Sequence, residues 1–154
     1  MLPSRNTLIG LAAGGSLALM LGALGFQHLG DLAPCKMCIW QRYPHVIAVV
    51  IGVLAIAIRG PLMPMLGMLA ALTTSLFGAF HAGVEQGWWE GPTTCSSASG
   101  AGLSEDEFFN SIINAQVIRC DEIPWQMMGL SLAGWNAVIS LGLALLWYLA
   151  LRRS

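Results

Sequence analysis

The chain has 154 residues, 56% of them hydrophobic and only 10% charged, with a formal net charge of −1 and a mean hydropathy of +0.68. An ordinary soluble domain carries roughly 25% charged residues, so this composition excludes one and describes a chain made for membrane lipid. No nucleic-acid partner is expected.

The first apolar stretch, Leu8 to Phe26, carries no charge. It approaches the roughly 20 helical residues that cross a hydrocarbon core. Arg5 ahead of it suggests a signal peptide, but the run exceeds the roughly 7 to 15 residues of a signal core, so a retained span is expected. Gly10 and Gly14 within it read as a small-xxx-small packing contact. A short loop, about 28–34, then delivers the chain to Cys35. The second span, 39–58, is purely apolar only from Val46 onward. Gln41, Arg42, Tyr43, Pro44 and His45 crowd its first turns and place them near the interface.

The tight turn Arg59-Gly60-Pro61 leads to a third, uncharged span, 62–80. The loop after it, 82–126, is about 45 residues, far beyond the roughly 12 to 15 at which a loop is functional or disordered. Its middle, Gly91 to Gly102, is rich in Gly, Ser, Thr and Pro, which suits a segment that meets a partner. Ser104-Glu105-Asp106-Glu107 is then a capping-box pattern. The helix it starts would place Phe108, Phe109, Ile112, Ile113 and Val117 on one face. At about 14 residues it is too short to span, so it reads as a helix lying on the membrane surface, with packing onto the bundle end as the alternative. The fourth span, 127–151, stops at Arg152 and Arg153.

The expected fold is therefore all-α: a single membrane domain over 1–154, an integral membrane four-helix bundle with a short interfacial helix in its second outer loop. Four spans put both termini on one side. Arg5, Arg59, Arg152 and Arg153 fall on that side, and short cytoplasmic segments are enriched in Lys and Arg, so the termini are expected to be cytoplasmic. Lys36, Arg42, Arg119 and all eight acidic residues fall on the other, extracytoplasmic side. Trp88, Trp89 and Trp125 read as an outer aromatic belt, with Trp147 and Tyr148 at the inner end.

All four cysteines, Cys35, Cys38, Cys95 and Cys120, then lie on the oxidising side, where disulfides persist. Cys35-Lys36-Met37-Cys38 is a CxxC pair. A zinc site would want a second close pair or histidines at ligand spacing, and 24 residues separate Cys95 from Cys120, so no metal is expected. Haem attachment would need histidine where Ile39 stands. Redox chemistry is left. Cys38 at the opening of the second helix meets the helix dipole, and Arg42 one turn on adds positive potential; both favour a thiolate. Arginine so near hydrocarbon is costly unless it snorkels or works, which makes Arg42 a functional candidate.

Cys95 and Cys120 read either as a staple contributing roughly 3 to 4 kcal/mol or as a second exchanging pair. The neighbouring CxxC favours the second reading. Two pairs on one face can relay two electrons. No GxGxxG follows a strand, so a lipid-soluble acceptor is the natural sink.

The segment Pro34-Cys35-Lys36-Met37-Cys38-Ile39-Trp40-Gln41-Arg42, the four spans and the paired-cysteine second outer loop resemble the disulfide bond formation protein B (DsbB) family of bacterial inner-membrane thiol oxidoreductases. The resemblance covers essentially the whole chain. It implies a protein-dithiol:quinone oxidoreductase of the bacterial inner membrane, multi-pass, with its cysteines periplasmic. The cofactor it implies is a quinone, ubiquinone or menaquinone, drawn from the quinone pool and contacted near Cys38, Arg42 and His81. The partner it implies is a periplasmic DsbA-like thioredoxin-fold protein that forms a mixed disulfide with Cys95. Cys120 would resolve that disulfide, Cys35/Cys38 would reoxidise the Cys95/Cys120 pair, and Cys38 would pass the electrons on. Glu85, four residues after His81, stands where a polar side chain is expected; His28 and His45 match nothing in the family and read as structural.

Two other readings compete. A vitamin K epoxide reductase-like enzyme also combines a helical bundle with CxxC, but late in the chain. A non-enzymatic scaffold would use both cysteine pairs as structural disulfides.

Overall fold

The computed structural model describes residues 3–92 and 118–154. Its frame is four helices: α1 (Arg5–His28), α2 (Lys36–Ala57), α3 (Leu62–Glu85) and α4 (Leu132–Leu151), each long and apolar enough to cross a membrane. Side-chain caps fix three of the four starts. Ser4 Oγ accepts from the Thr7 N–H, Cys35 Sγ from the Cys38 N–H and Ser131 Oγ from the Gly134 N–H, each satisfying one orphan donor of the first turn. Before α3 stands Pro61, whose missing N–H is no loss at a helix start. The helices neighbour one another in the order α1, α2, α3, α4 and back to α1, so the bundle is closed and runs up and down.

The expected spans sit on these helices with two informative differences. The helix expected over 39–58 begins at Lys36, because Cys35 acts as its cap; Cys38 therefore lies inside the first turn rather than at its edge. The helix expected from Met127 begins only at Leu132. Residues 126–131 instead form a hairpin of β1 (Gln126–Met127) and β2 (Leu130–Ser131), antiparallel, with Gln126 opposite Ser131. Its turn residues Met128 and Gly129 have φ of 53° and 82°, the two successive left-handed positions that a tight two-residue hairpin requires and that glycine favours. The apolar character of Met127, Met128 and Leu130 concealed this break. The surface helix expected after Ser104 lies outside the described residues.

Packing is inverted relative to a soluble bundle. Leu21, Val53, Leu76 and Leu141 point outward, while Ala12, Ser16, Ala48, Ala55, Ala71, Thr74, Ser140 and Ala144 are buried. Lipid gives large apolar side chains no reason to hide, so small residues occupy the contacts and let the backbones approach. On α1 the contact face carries Ile9, Ala12 and Ser16. The contact expected at Gly10 and Gly14 does not form: a Cβ on either would meet nothing within 4 Å.

Trp147 is a second correction. Expected in an inner aromatic belt, it is completely buried in the core with Leu8, Ile9, Ala71 and Leu143, while Tyr148 beside it is exposed. The space for the indole comes from Gly67 of α3, where an added Cβ would stand 2.5 Å from the ring. At the same end Arg5 ties the termini to the α2–α3 turn: Nη1 donates to Ala55 O (2.9 Å), Nη2 to Ile58 O and Gly60 O, and Nε to Ser154 Oγ. Both termini thus share one end, opposite the cysteines.

The Gly67–Trp147 fit generates a stability test. Gly67→Val should cost about 1–3 kcal/mol by overpacking, read as a lowered unfolding temperature in detergent, whereas Gly10→Ala should leave that temperature unchanged.

Candidate functional site

Cys35, Met37, Val84 and Cys120 form a second buried cluster at the end of the bundle opposite the termini, with Cys38 and Trp40 packed against it. Two of the expected cysteine positions are thereby next to each other, and a third is brought in from the far end of the long loop. Cys35 Sγ and Cys38 Sγ are 2.6 Å apart, a separation that side-chain rotation alone converts into a disulfide. The CxxC turn makes this possible, since the cap residue and the third residue of a helix lie on one side of its first turn. Cys120 is disulfide-bonded and 2% exposed. Cys95 lies outside the described residues.

His81 of α3 connects these groups. Its Nε2 is 3.6 Å from Cys35 Sγ and donates to Cys120 O at 3.1 Å. Its Nδ1 accepts from Gln41 Nε2 at 2.9 Å. Gln41 Nε2 also donates to Met37 O (3.2 Å), so the amide nitrogen faces the ring and the ring proton sits on Nε2. His81 is thus an uncharged ring with its N–H directed at the cysteines.

Behind it runs a buried polar network across three helices. Gln41 Oε1 accepts from Asn136 Nδ2 at 2.7 Å, and the same nitrogen reaches Thr74 Oγ1 at 3.1 Å. Asn136 Oδ1 accepts from His45 Nε2 (2.9 Å) and Ser140 Oγ (3.1 Å), and Thr74 Oγ1 donates to Gln41 O. His45, expected to be structural, is a member of this network. Of these residues, Asn136, Thr74 and Ser140 were not singled out in the sequence. Asn136 had a signal: it is the only amide or charged side chain in α4, and polar groups inside a span serve to bind helices together.

Glu85 acquires a place. Its side chain is 3% exposed, with Oε1 3.9 Å from His81 Nε2, and Oε2 accepts a hydrogen bond from Ser131 Oγ, the residue that also caps α4. Arg42 stands apart from this interior. Half-buried, it donates from Nη1 to Gln27 Oε1 of α1 at 2.7 Å, and its Nε and Nη2 make no hydrogen bond among the described residues. Along α2, Met37, Gln41, Pro44, His45 and Ala48 face the interior, while Ile39, Tyr43, Val46 and Val50 are exposed. Cys38 and Arg42, both of intermediate exposure, lie on the seam between these two faces.

The two thiols are electrostatically unlike. Hydrogen bonding to Cys38 and burial push the Cys35 thiol well above its ordinary range, so Cys35 holds its proton. Cys38, in the first turn of α2, stands among backbone N–H groups that favour an anion. On the surface side of the cluster, Arg119 donates to both carboxylate oxygens of Asp121, which holds that carboxyl below its usual range.

A family model described as "Disulfide bond formation protein DsbB" matches residues 5–150. Among similar proteins, Disulfide bond formation protein B of Polaromonas sp. (strain JS666) is 35% identical over 89% of this chain and 88% of its own length. The protein of that name from Hahella chejuensis is 32% identical over 84% of this chain and 85% of its own. That of Shewanella sp. (strain MR-4) is 30% identical, covering 83% and 76%. No solved structure matches the chain significantly.

The amide network carries its own test. Asn136→Leu removes partners from Gln41 Oε1, His45 Nε2 and Ser140 Oγ at once, and each buried polar group left unsatisfied costs about 1–3 kcal/mol. The expected result is a clear loss of unfolding free energy in detergent, against little change for the lipid-facing Leu141→Ala.

Proposed function

The chain belongs to the disulfide bond formation protein DsbB family, and on that premise we propose that it reoxidises a periplasmic DsbA-like dithiol protein through two cysteine pairs and passes the electrons to a membrane quinone. Membership implies a disulfide-generating oxidoreductase, in a family of inner-membrane proteins that oxidise DsbA using quinone. The observation that carries the finer reading is the His81 bridge. One ring nitrogen reaches both the Cys120 main chain and the Cys35 sulfur, so the loop cysteine is held against the CxxC pair.

In the proposed sequence a thiolate of the soluble partner attacks Cys95 of a Cys95–Cys120 disulfide, and Cys120 leaves as thiolate. Electron balance gives resolution of that mixed disulfide to the partner's own second thiol, in place of the resolving role expected of Cys120. The released Cys120 thiolate is then the group that attacks the Cys35–Cys38 disulfide at Cys35, beside which it is held. Cys38 leaves. The place of Cys38 in the first turn of α2 supports this direction, since the helix N-terminus favours the negative charge that then settles there.

Cys38 and Arg42 on the seam between interior and lipid fit a quinone arriving from the hydrocarbon: one supplies electrons, the other has guanidinium N–H groups to offer a carbonyl oxygen. When bound, the quinone accepts two electrons and two protons. His81 stands a layer deeper, with both ring nitrogens engaged, so its proposed place at the quinone is behind Cys35 rather than on the lipid side. The orientation follows the basic residues: termini cytoplasmic, cysteines periplasmic. The position of CxxC ahead of α2 disfavours the vitamin K epoxide reductase-like reading, and the placement of Cys120 beside the CxxC pair through His81 disfavours an inert scaffold.

Two measurements test the proposal. Cys38→Ser should abolish reoxidation of the reduced protein by ubiquinone or menaquinone, followed by thiol labelling, and Arg42→His should slow it about tenfold or more; unchanged rates in both sink the quinone assignment. Replacing the second thiol of the soluble partner, the resolving group, should accumulate that partner as a disulfide adduct on Cys95, identified by mass. An adduct on Cys35 instead reverses the order of the pairs.

A further inference from the structure

The CxxC pair does not stand alone, because the bundle brings a histidine to it that is distant in sequence. Cys35 Sγ, Cys38 Sγ and His81 Nε2 all lie within 4.8 Å of one another, and a carboxylate oxygen of Glu85 is 3.9 Å from the same His81 nitrogen. We propose that the reduced protein is a zinc-binding protein at this site, with Cys35, Cys38 and His81 as ligands and Glu85 placed to supply the fourth. Sequence spacing argued against zinc because it showed no nearby histidine; α3 supplies one.

The geometry suits the ion. Zn–S bonds near 2.3 Å and Zn–N bonds near 2.0 Å put the donors of a tetrahedral site about 3.5 to 3.8 Å apart. The Cys35–His81 distance, 3.6 Å, and the His81–Glu85 distance, 3.9 Å, already fall close to that. The two sulfurs, at 2.6 Å, must separate by about 1 Å, and donors that lie within 4.8 Å of one another must settle to tetrahedral spacing, adjustments for which the half-buried Cys38 side chain has room to rotate. Binding is a proton exchange without redox change: the two thiols lose two protons, two Zn–S bonds form, and the dithiolate charge cancels that of the ion.

His81 must present Nε2 as a lone pair, so its proton moves to Nδ1 and the hydrogen bond to Cys120 O is given up. Gln41 then meets an N–H at Nδ1 and turns its amide to accept from it. That is the outer partner a zinc-bound imidazole ordinarily has. The disulfide form of the pair offers no thiolates. Zinc and oxidation therefore compete for the same two sulfurs, and the metal holds the pair in its dithiol state.

The test uses the full chain in detergent, reduced and freed of reductant without air, with Co2+ alone as the spectroscopic probe and Zn2+ as its competitor. The inference predicts one Co2+ per chain, thiolate-to-metal absorption in the near ultraviolet, tetrahedral visible bands, and displacement by one equivalent of Zn2+. His81→Ala, which removes a direct ligand, should weaken binding by more than the roughly 10- to 100-fold that loss of an outer partner of a ligand costs. A Cys95→Ser, Cys120→Ser background should bind undiminished. One equivalent of Zn2+ should slow oxidation of Cys35 and Cys38 by the small-molecule oxidant diamide at least tenfold, reversed by chelator. No thiolate absorption in the reduced wild-type protein, equal uptake by the oxidised protein, or loss of binding in the Cys95/Cys120 background overturns it. None of these readouts involves quinone or a protein partner, so the zinc site and the proposed oxidase activity stand or fall separately.

Discussion

The hydrogen bond from Gln41 to Nδ1 of His81 is the interaction on which the cysteine end of this bundle depends. It makes the ring neutral and puts its proton on Nε2, facing Cys35 and the Cys120 carbonyl. Without it the ring has two tautomers to choose between, and the loop loses a fixed acceptor-donor pairing with the bundle. Gln41 is in turn held by Asn136 and by its own helix, and Asn136 by Thr74, His45 and Ser140. A ring that touches a thiol is thus oriented by residues on α2, α3 and α4 together.

That arrangement follows from lipid as the solvent. Helices in a bilayer gain nothing by hiding leucine from one another, so contact must come from close backbone approach and from polar groups that find partners only inside. The two devices divide the bundle between them. Near the termini, Trp147 fills the notch left by Gly67, and Arg5 ties the helix ends together. Toward the cysteines, the amide and hydroxyl network takes over. The proposed chemistry lies at the polar end, where side chains are fixed by directional bonds rather than by shape alone.

Much of this was legible in the sequence. Four apolar runs broken by turn residues give the spans, and CxxC ahead of one of them gives the closely spaced thiols, because both signals are local. The cap that Cys35 provides to α2 was missed, since a thiol is not a usual N-cap and the first turn is crowded with polar residues that read as interface. The hairpin at Met128-Gly129 was hidden by hydropathy, which does not register φ. Trp147 was misplaced because a tryptophan near a helix end resembles a belt residue until the glycine opposite it is known. The His81–Cys35 contact and the amide network depend on helix neighbours and rotation, which no single span encodes.

The remaining asymmetry is between the two sulfurs. Cys35 is buried against His81, capped into the helix start and disposed to keep its proton; Cys38 is on the seam where α2 turns from interior to lipid. One turn of helix therefore separates a sulfur buried in protein from one at the seam between the interior and the exposed face of α2. A disulfide between them joins two environments, so exchange at Cys35 appears as charge at Cys38. That placement gives the proposed direction of electron flow a structural cause that a CxxC in a loop, with both sulfurs in water, would lack.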